Sequence, residues 1–329
     1  VTRVLLIGAG PIGIELAVQL KRSGIDYEHV DAGPIGATIT WYAPQTHFFS
    51  SPERIQIAGV PLQTLDQSKA TREEYLTYLR AVVLQFDLQI STFERVLSIA
   101  PGFVVETTHG TRRAEVLVLA IGDMHRANLL GIPGEDLPHV SHYFGDPHVH
   151  FRRHVVIVGG RNSAVEAAIR CVRAGARVTM IHRAESLPQD HIKFWLYPEI
   201  NGMIREGRIA FIPNATVTSI DRTGVTLSNG RRIVCDDVLL LTGYEQDTSL
   251  FEQAGIELVG PNRRPRFDER TMETNVRNIY VAGNAAAGTQ VSGTREFIET
   301  AHVHVERIMA ALKGSISSAT RPAFEMPES

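Results

Sequence analysis

The residues with the clearest chemical purpose are glycines. Gly8-Ala-Gly10-Pro11-Ile12-Gly13 follows the apolar run Arg3-Val-Leu-Leu-Ile7 and opens a helical pattern through Ile14, Leu16, Ala17 and Leu20. In a G-x-G-x-x-G loop set between strand and helix, the first glycine permits a tight turn. The second lets backbone approach a pyrophosphate, and the third lets helix and strand pack closely, with the helix N-terminus facing the phosphates. A second apolar run, about Tyr27 to Val30, ends at Asp31, where a carboxylate is expected to bond a ribose diol. A related loop, Gly159-Gly160-Arg161-Asn162-Ser163-Ala164, follows His154-Val-Val-Ile-Val158. It reads as G-x-G-x-x-A with Arg161 in place of the middle glycine, which brings a cation near phosphate or moves the ligand. The strand after it, Arg177-Val-Thr-Met-Ile181, runs into His182-Arg183 and no acid. An adenosine 2′-phosphate is repelled by aspartate there and attracted by arginine. The first loop is therefore expected to hold FAD and the second NADPH, the alternative for Arg183 being a solvated surface charge. Hydride then passes from nicotinamide to flavin.

The elements that must position these loops repeat. The step from Gly8 to Asp31 is 23 positions, as is that from Gly159 to His182. Two βαβ units of one internal length predict an α/β fold with two Rossmann-like dinucleotide-binding domains. At 329 residues the chain has room for two domains of roughly 150 residues each. They are not expected to be halves. The strand ending Val116-Leu-Val-Leu-Ala120-Ile-Gly122 and the one ending Asp236-Asp-Val-Leu-Leu-Leu-Thr-Gly243 are places where domains could exchange. The reading is a split FAD domain, 1–122 and 244–329, around an NADPH domain, 123–243. Asn278-Ile-Tyr-Val-Ala-Gly283 is a last strand, and Asn284 after it is placed to meet a ribityl hydroxyl. Ala120, Gly122, Gly283, Asn284 and Val96 complete the residues expected to touch FAD. Thr71-Arg-Glu-Glu74 is a capping box opening a helix to about Gln85. A final helix is expected from about Gly293 to Leu312, with a loose tail after it.

Between them lies a polar, aromatic stretch from Gly33 to about Gln67 that is long for a connection, and such stretches often line sites. His47 within it is a candidate proton donor near the flavin edge, with a structural hydrogen bond as the alternative. Trp41 and Phe48-Phe49 wall a flavin pocket or pack in the core.

Composition narrows the partners. With 33 basic against 36 acidic residues the net charge is −3, so no nucleic acid or anionic membrane partner is expected. No apolar run approaches the ~18 residues of a membrane span, and Val1 to Ile7 reads as a strand, not a signal peptide. Cys171 and Cys235, the only two cysteines, form no C-x-x-C. They disfavour a disulfide framework, a thiolate zinc site and an internal redox dithiol, and fit a reducing cytoplasm. Both read as small buried hydrophobes. Five histidines fall between 139 and 154, including His148-x-His150, but no acid or thiolate set completes a metal site. His302 and His304 sit about 200° apart on the last helix, too far round to share a metal. One of them, or Glu299, faces flavin or substrate, or they pack in a core or dimer interface.

At this point the chain resembles the thioredoxin-reductase-like flavoproteins with two dinucleotide-binding domains, and within them the bacillithiol-disulfide (bacilliredoxin) reductase family. Gly131-Ile-Pro-Gly-Glu-Asp-Leu-Pro138, His142-Tyr-Phe144, Gly175-Ala-Arg-Val-Thr179, Ile192-Lys193-x-Trp195, Met272-Glu-Thr-Asn-Val276 and Phe297-Ile-Glu299 carry the likeness, with the second glycine loop. It implies non-covalent FAD, NADPH, a homodimer and a cytoplasmic role in low-molecular-weight thiol redox balance. Two departures matter. Thioredoxin reductases carry a C-x-x-C where this chain has Val140 to Asp146, without cysteine. The bacillithiol-disulfide reductases carry a cysteine in the first glycine loop where this chain has Ile12. A thiolate attacks a disulfide and passes through a mixed disulfide, and isoleucine does neither. The expected acceptor is therefore a small disulfide, quinone, electron carrier or oxygen met directly by reduced flavin. A ferredoxin- or flavodoxin-NADP reductase, with the extension around Phe324 covering the flavin, is the alternative enzyme. A flavin-binding sensor or scaffold is the alternative from another class.

Overall fold

The first strand forms because Val4, Leu5 and Leu6 can be removed from water on both faces at once, as a parallel strand requires. The computed structural model describes residues 2–289 and 296–322. The chain divides into two compact units. The first comprises Val1–Thr40, Gln45–Arg126 and Glu245–Glu328, the second chiefly Trp41–Pro44 and Ala127–Tyr244.

In the first unit β1 (Thr2–Ile7), α1 (Pro11–Arg22) and β2 (Tyr27–Val30) make a βαβ unit. Pro11 fits the first turn of α1, where its missing N–H costs nothing. After a 3₁₀ turn at Ala37–Trp41 and a single helical turn at Pro52–Ile55, α2 (Arg72–Gln85) starts on the expected capping box. The Glu74 N–H donates to Thr71 Oγ1 at 3.2 Å, and the Thr71 N–H donates to the Glu74 carboxylate at 2.8 Å. Then come β3 (Val96–Ala100), β4 (Val104–Thr107) and β5 (Gly110–Leu119). The sheet order is β2-β1-β5-β4-β3, parallel from β2 to β5 and antiparallel beyond. Glu94, just before β3, is buried and takes a bidentate pair from Arg112 of β5 at 2.6 Å, with Thr107 donating to it at 2.7 Å.

The second unit holds β6 (His154–Val158), α3 (Asn162–Arg173), β7 (Arg177–Ile181), β8 (Ile209–Ile212) and β9 (Asp237–Leu240). Their sheet is parallel, in the order β8-β7-β6-β9, with Val140–Ser141 at its edge. A three-stranded antiparallel sheet, Val217–Asp221, Gly224–Leu227 and Arg232–Val234, belongs to the same unit. Trp41–Pro44 joins this unit through contacts with residues distant in sequence. Ala43 is buried in its core with Phe144, Arg170 donates to the Pro44 carbonyl, and Trp41 stands edge-on to Tyr143. The exchange points lie at Arg126/Ala127 and Tyr244/Glu245, against the expected 122/123 and 243/244.

The chain returns to the first sheet as β10 (Ile279–Val281), parallel to β5, and ends in α4 (Ile298–Leu312). This helix begins at Ile298 and not near Gly293. Thr300 Oγ1 accepts the Phe297 N–H at 2.9 Å and so satisfies a donor at its start. Gly293 and Phe324 lie outside the described residues.

Candidate functional site

Register decides what meets at the first sheet's carboxyl edge. Ile7 lies opposite both Val30 and Leu119, and Leu119 opposite Val281. Gly8, Asp31, Ala120 and Ala282-Gly283 therefore emerge side by side. In open α/β sheets that edge, where strand order reverses, is where ligands bind.

The glycine loop there is built for a close approach. Gly8 has φ +111°, and a Cβ on it would sit 2.3 Å from the Ala120 carbonyl oxygen. A Cβ on Gly13 would sit 2.0 Å from the Gly8 oxygen, so both glycines are required by the protein itself. Gly10 is different: a Cβ there meets nothing within 4 Å. Its bare backbone faces open space beside the start of α1, where no side chain caps the first turn. An uncapped helix N-terminus offers N–H donors and a positive dipole end to an anion. This cradle fits the pyrophosphate of FAD.

Asp31 is more occupied than the sequence suggests. Its carboxylate accepts the Ala9 N–H at 2.5 Å and the Gly33 N–H at 2.7 Å. Burial raises its pKa, and the two backbone bonds partly offset that. Each oxygen keeps a lone pair for a ribose hydroxyl. Val96 opens β3 and is buried.

His29 was invisible at the sequence level. It is 2% exposed, and its Nε2 lies 2.9 Å from the Gly8 carbonyl oxygen. A carbonyl only accepts, so Nε2 carries the proton. Nδ1 is buried without a hydrogen-bond partner. Burial pushes the pKa down to about 4. Above about pH 6.5 the ring is neutral folded or unfolded. Between 6.5 and about 4 only the unfolded chain binds the proton, so stability falls as pH falls, by at most about 3 kcal/mol. His29→Gln keeps a donor for Gly8 and removes the titration. Urea midpoints at pH 7 and 4.5 are expected to differ less in this variant than in wild type; equal differences would show that His29 does not set the acid limit.

At the end of β10, Gly283 donates its N–H to His304 Nδ1 at 3.2 Å, and Asn284 Nδ2 donates to Asp123 Oδ1 at 3.2 Å. Gln246 Nε2 donates to the carbonyls of Gly122 at 2.8 Å and Ala285 at 3.2 Å. Ile12, 6% exposed, packs on Gly283: a Cβ built there would be 3.4 Å from the Ile12 Cβ.

The remaining candidates have local partners. His47 is exposed and forms an antiparallel bridge with Thr71. Trp41 belongs to the second unit, where it stands edge-on to Tyr143. Phe48 leans on Tyr75 at 4.5 Å and Phe49 lies under Lys69. His302 faces the Glu15 carboxylate at 2.6 Å and the Arg54 carbonyl at 3.0 Å. Burial works against charge there, yet the Glu15 contact raises the His302 pKa. Glu299 is buried on α4.

The second unit repeats the cradle. Val158 lies opposite Ile181 and Leu240, so Gly159, His182 and Leu241 share an edge. Gly159 has φ +145°, and a Cβ on it would be 2.5 Å from the Leu241 oxygen. A Cβ on Gly160 would strike the His182 ring at 2.4 Å, so the ring packs closely on the loop. Arg161 precedes α3 with its side chain making no cap, and Ser163 is exposed. Asn162 Oδ1 accepts the Lys193 N–H at 2.6 Å, and Lys193 reaches Glu166 at 3.2 Å. Arg183 is exposed, without an acidic partner among the described residues.

Neither cysteine is near being a thiolate. Cys171 is buried on α3, its pKa pushed up to about 12, and Cys235 is buried after the last antiparallel strand, pushed up to about 11; in both, burial is the main cause. Histidines of the 139–154 run have separate partners, His150 with Asp237 at 2.8 Å and His154, which opens β6, with the Val234 carbonyl at 2.6 Å. No group of three potential ligands gathers among the described residues, and no described helix is long and apolar enough to cross a membrane.

Comparison with known proteins agrees with this architecture. Residues 5–283 match the model of the pyridine nucleotide-disulphide oxidoreductases. The chain is 36% identical to bacilliredoxin reductase of Bacillus subtilis, over 94% of this chain and 97% of that one. It is 27% identical to a ferredoxin–NADP reductase of Ignicoccus hospitalis, over 85% of this chain and 88% of the other. The solved bacillithiol disulfide reductase of Staphylococcus aureus superposes with a TM-score of 0.90 at 33% identity, covering 95% of this chain and 98% of that one.

Proposed function

The chain belongs to the pyridine nucleotide-disulphide oxidoreductase family, and from that premise we propose an enzyme that takes electrons from NADPH and delivers them to a small acceptor without a protein thiol. Members of the family are enzymes that use FAD and a pyridine nucleotide. FAD supplies a ring system that receives hydride from the nicotinamide and passes two electrons on. The residues assigned to hold it are Gly8, Gly10, Pro11, Ile12, Gly13, Asp31, Val96, Ala120, Gly122, Gly283 and Asn284. Those assigned to NADPH are Gly159, Gly160, Arg161, Asn162, Ser163, His182 and Arg183.

One observation carries the acceptor reading. At position 12, in the first turn of α1, an isoleucine packs on Gly283, and both cysteines are buried in the other unit. No thiolate is placed to attack a disulfide, so the acceptor must react at the flavin. A low-molecular-weight disulfide such as bacillithiol disulfide is one such acceptor, and a quinone or oxygen is another. The reading includes a homodimer in the cytoplasm, as the resemblance implies. The Ignicoccus relative supports a second reading, a ferredoxin–NADP reductase. The test is anaerobic addition of NADPH to FAD-loaded protein, followed by a screen of disulfide, quinone and ferredoxin. Rapid loss of the oxidised flavin absorbance is expected. Its persistence would point to a sensor or scaffold, and turnover by ferredoxin alone would establish the second reading.

A further inference from the structure

The 3₁₀ turn Gly283–Ala287 follows β10 and carries Asn284. Its entry N–H, on Gly283, is buried and would be an unsatisfied donor without His304. Because an N–H donates to it, Nδ1 of His304 is unprotonated, and the ring sits 4% exposed on α4. The middle of the turn is held from the other side. Both N–H groups of the Gln246 carboxamide are used, one on the Ala285 carbonyl and one on the Gly122 carbonyl. Facing two carbonyls fixes which end of the amide is nitrogen. The opposite atom, Oε1, is buried without a hydrogen-bond partner, so the amide is held by its donors alone. The Gln246 N–H donates to Thr289 Oγ1 at 3.0 Å and fixes its own backbone. Gly122 follows β5 and the turn follows β10, and Gln246 ties them together.

We propose that His304 and Gln246 are positioning residues for the flavin, acting through the Gly283–Ala287 turn and Gly122 rather than by touching FAD. The inference rests on the assignment of FAD to this unit. His304 sets where the turn begins and Gln246 sets its separation from the β5 loop. Together they determine where Asn284 and the Ile12–Gly283 contact stand. Neither residue belongs to the glycine fingerprint, and neither is close in sequence to what it positions: His304 is 21 residues from Gly283 and Gln246 is 124 from Gly122.

The test is FAD titration of apoprotein by flavin fluorescence, together with the flavin midpoint potential and the melting temperature of the apoprotein. His304→Asn keeps an acceptor at the Nδ1 position, whereas His304→Leu leaves the buried Gly283 N–H unsatisfied. The expected result is FAD affinity about tenfold or more weaker for the leucine variant, with a displaced potential. The asparagine variant should stay within about threefold of wild type. Equal affinities for the two variants would overturn the proposal, as would wild-type affinity and potential in the leucine variant. If His304→Leu does not fold, Gln246→Met decides: a loss of about tenfold in affinity supports the proposal and wild-type affinity overturns it. Wild-type protein that takes up no FAD would overturn the FAD assignment itself, and this inference with it.

Discussion

Ile12→Cys is expected to raise NADPH-dependent reduction of a small disulfide on the order of a hundredfold above the wild-type chain. The helix start at this position favours a thiolate. It lies in the first turn of α1, beside Pro11, at a helix start that no side chain caps. The helix dipole and its open N–H groups lower a thiol pKa there. The existing cysteines cannot do the work, since burial holds them at about 12 and about 11. A cysteine at position 12 would attack one sulfur of the disulfide and expel the other half as a thiol. Two electrons from NADPH, with one proton, then break the mixed disulfide, releasing its second half as a thiol and restoring the cysteine thiolate. Shortening the side chain opens a small void against Gly283, costing about 1–2 kcal/mol, which a family member of this size should tolerate. Ile12→Ser is the control, being equally small but without a thiolate. NADPH consumption with the disulfide present separates them. A serine variant as fast as the cysteine variant would show that space at position 12, not the thiol, limits the reaction.

The frame was legible in the sequence because its signals are local. Two strand-loop-helix-strand segments of one length, and a Thr71–Glu74 cap, are written within a few turns of chain, and the folded chain forms them there. What escaped is contact between distant segments. Nothing in the type or spacing of His29 announces that it lies under the Gly8 carbonyl. Gln246 is one of many glutamines until β5 and β10 pair and bring Gly122 and Ala285 to its amide. Trp41–Pro44 reads as one aromatic stretch with its neighbours, but Arg170 and Phe144, more than a hundred residues on, draw it into the second unit. His47 is exposed at a bridge to Thr71, a neighbour 24 residues on that its type does not announce. Residue type suggests chemistry, and long-range packing decides where it is placed.

Arg183→Glu tests the other half of the proposal, the choice of nicotinamide cofactor. Arg183 follows β7 one position beyond His182, near the place that Asp31, proposed to bind a ribose, takes in the first unit. It is exposed, with no acidic partner among the described residues, so its guanidinium is available to an adenosine 2′-phosphate. Arginine pairs with phosphate through two parallel N–H···O bonds, and charge-assisted bonds of this kind are worth about 1.5–3 kcal/mol. Replacing it by glutamate removes that attraction and adds repulsion. The expected loss in kcat/KM for NADPH is therefore on the order of a hundredfold. NADH lacks the phosphate and should change by less than about threefold, because a carboxylate at this position can accept from the free 2′-hydroxyl. His182 sharpens the comparison. Its ring is pressed on Gly160 and its Nδ1 takes the Ala184 N–H at 3.3 Å, so the backbone beside Arg183 is held while the side chain changes. The NADPH preference should also weaken with salt in wild type, since an exposed pair is screened, and lose that salt dependence in the variant. Parallel losses for NADPH and NADH would mean that Arg183 supports the loop as a whole, and the 2′-phosphate would then have to be read elsewhere, with Arg161 the next cation on the same edge.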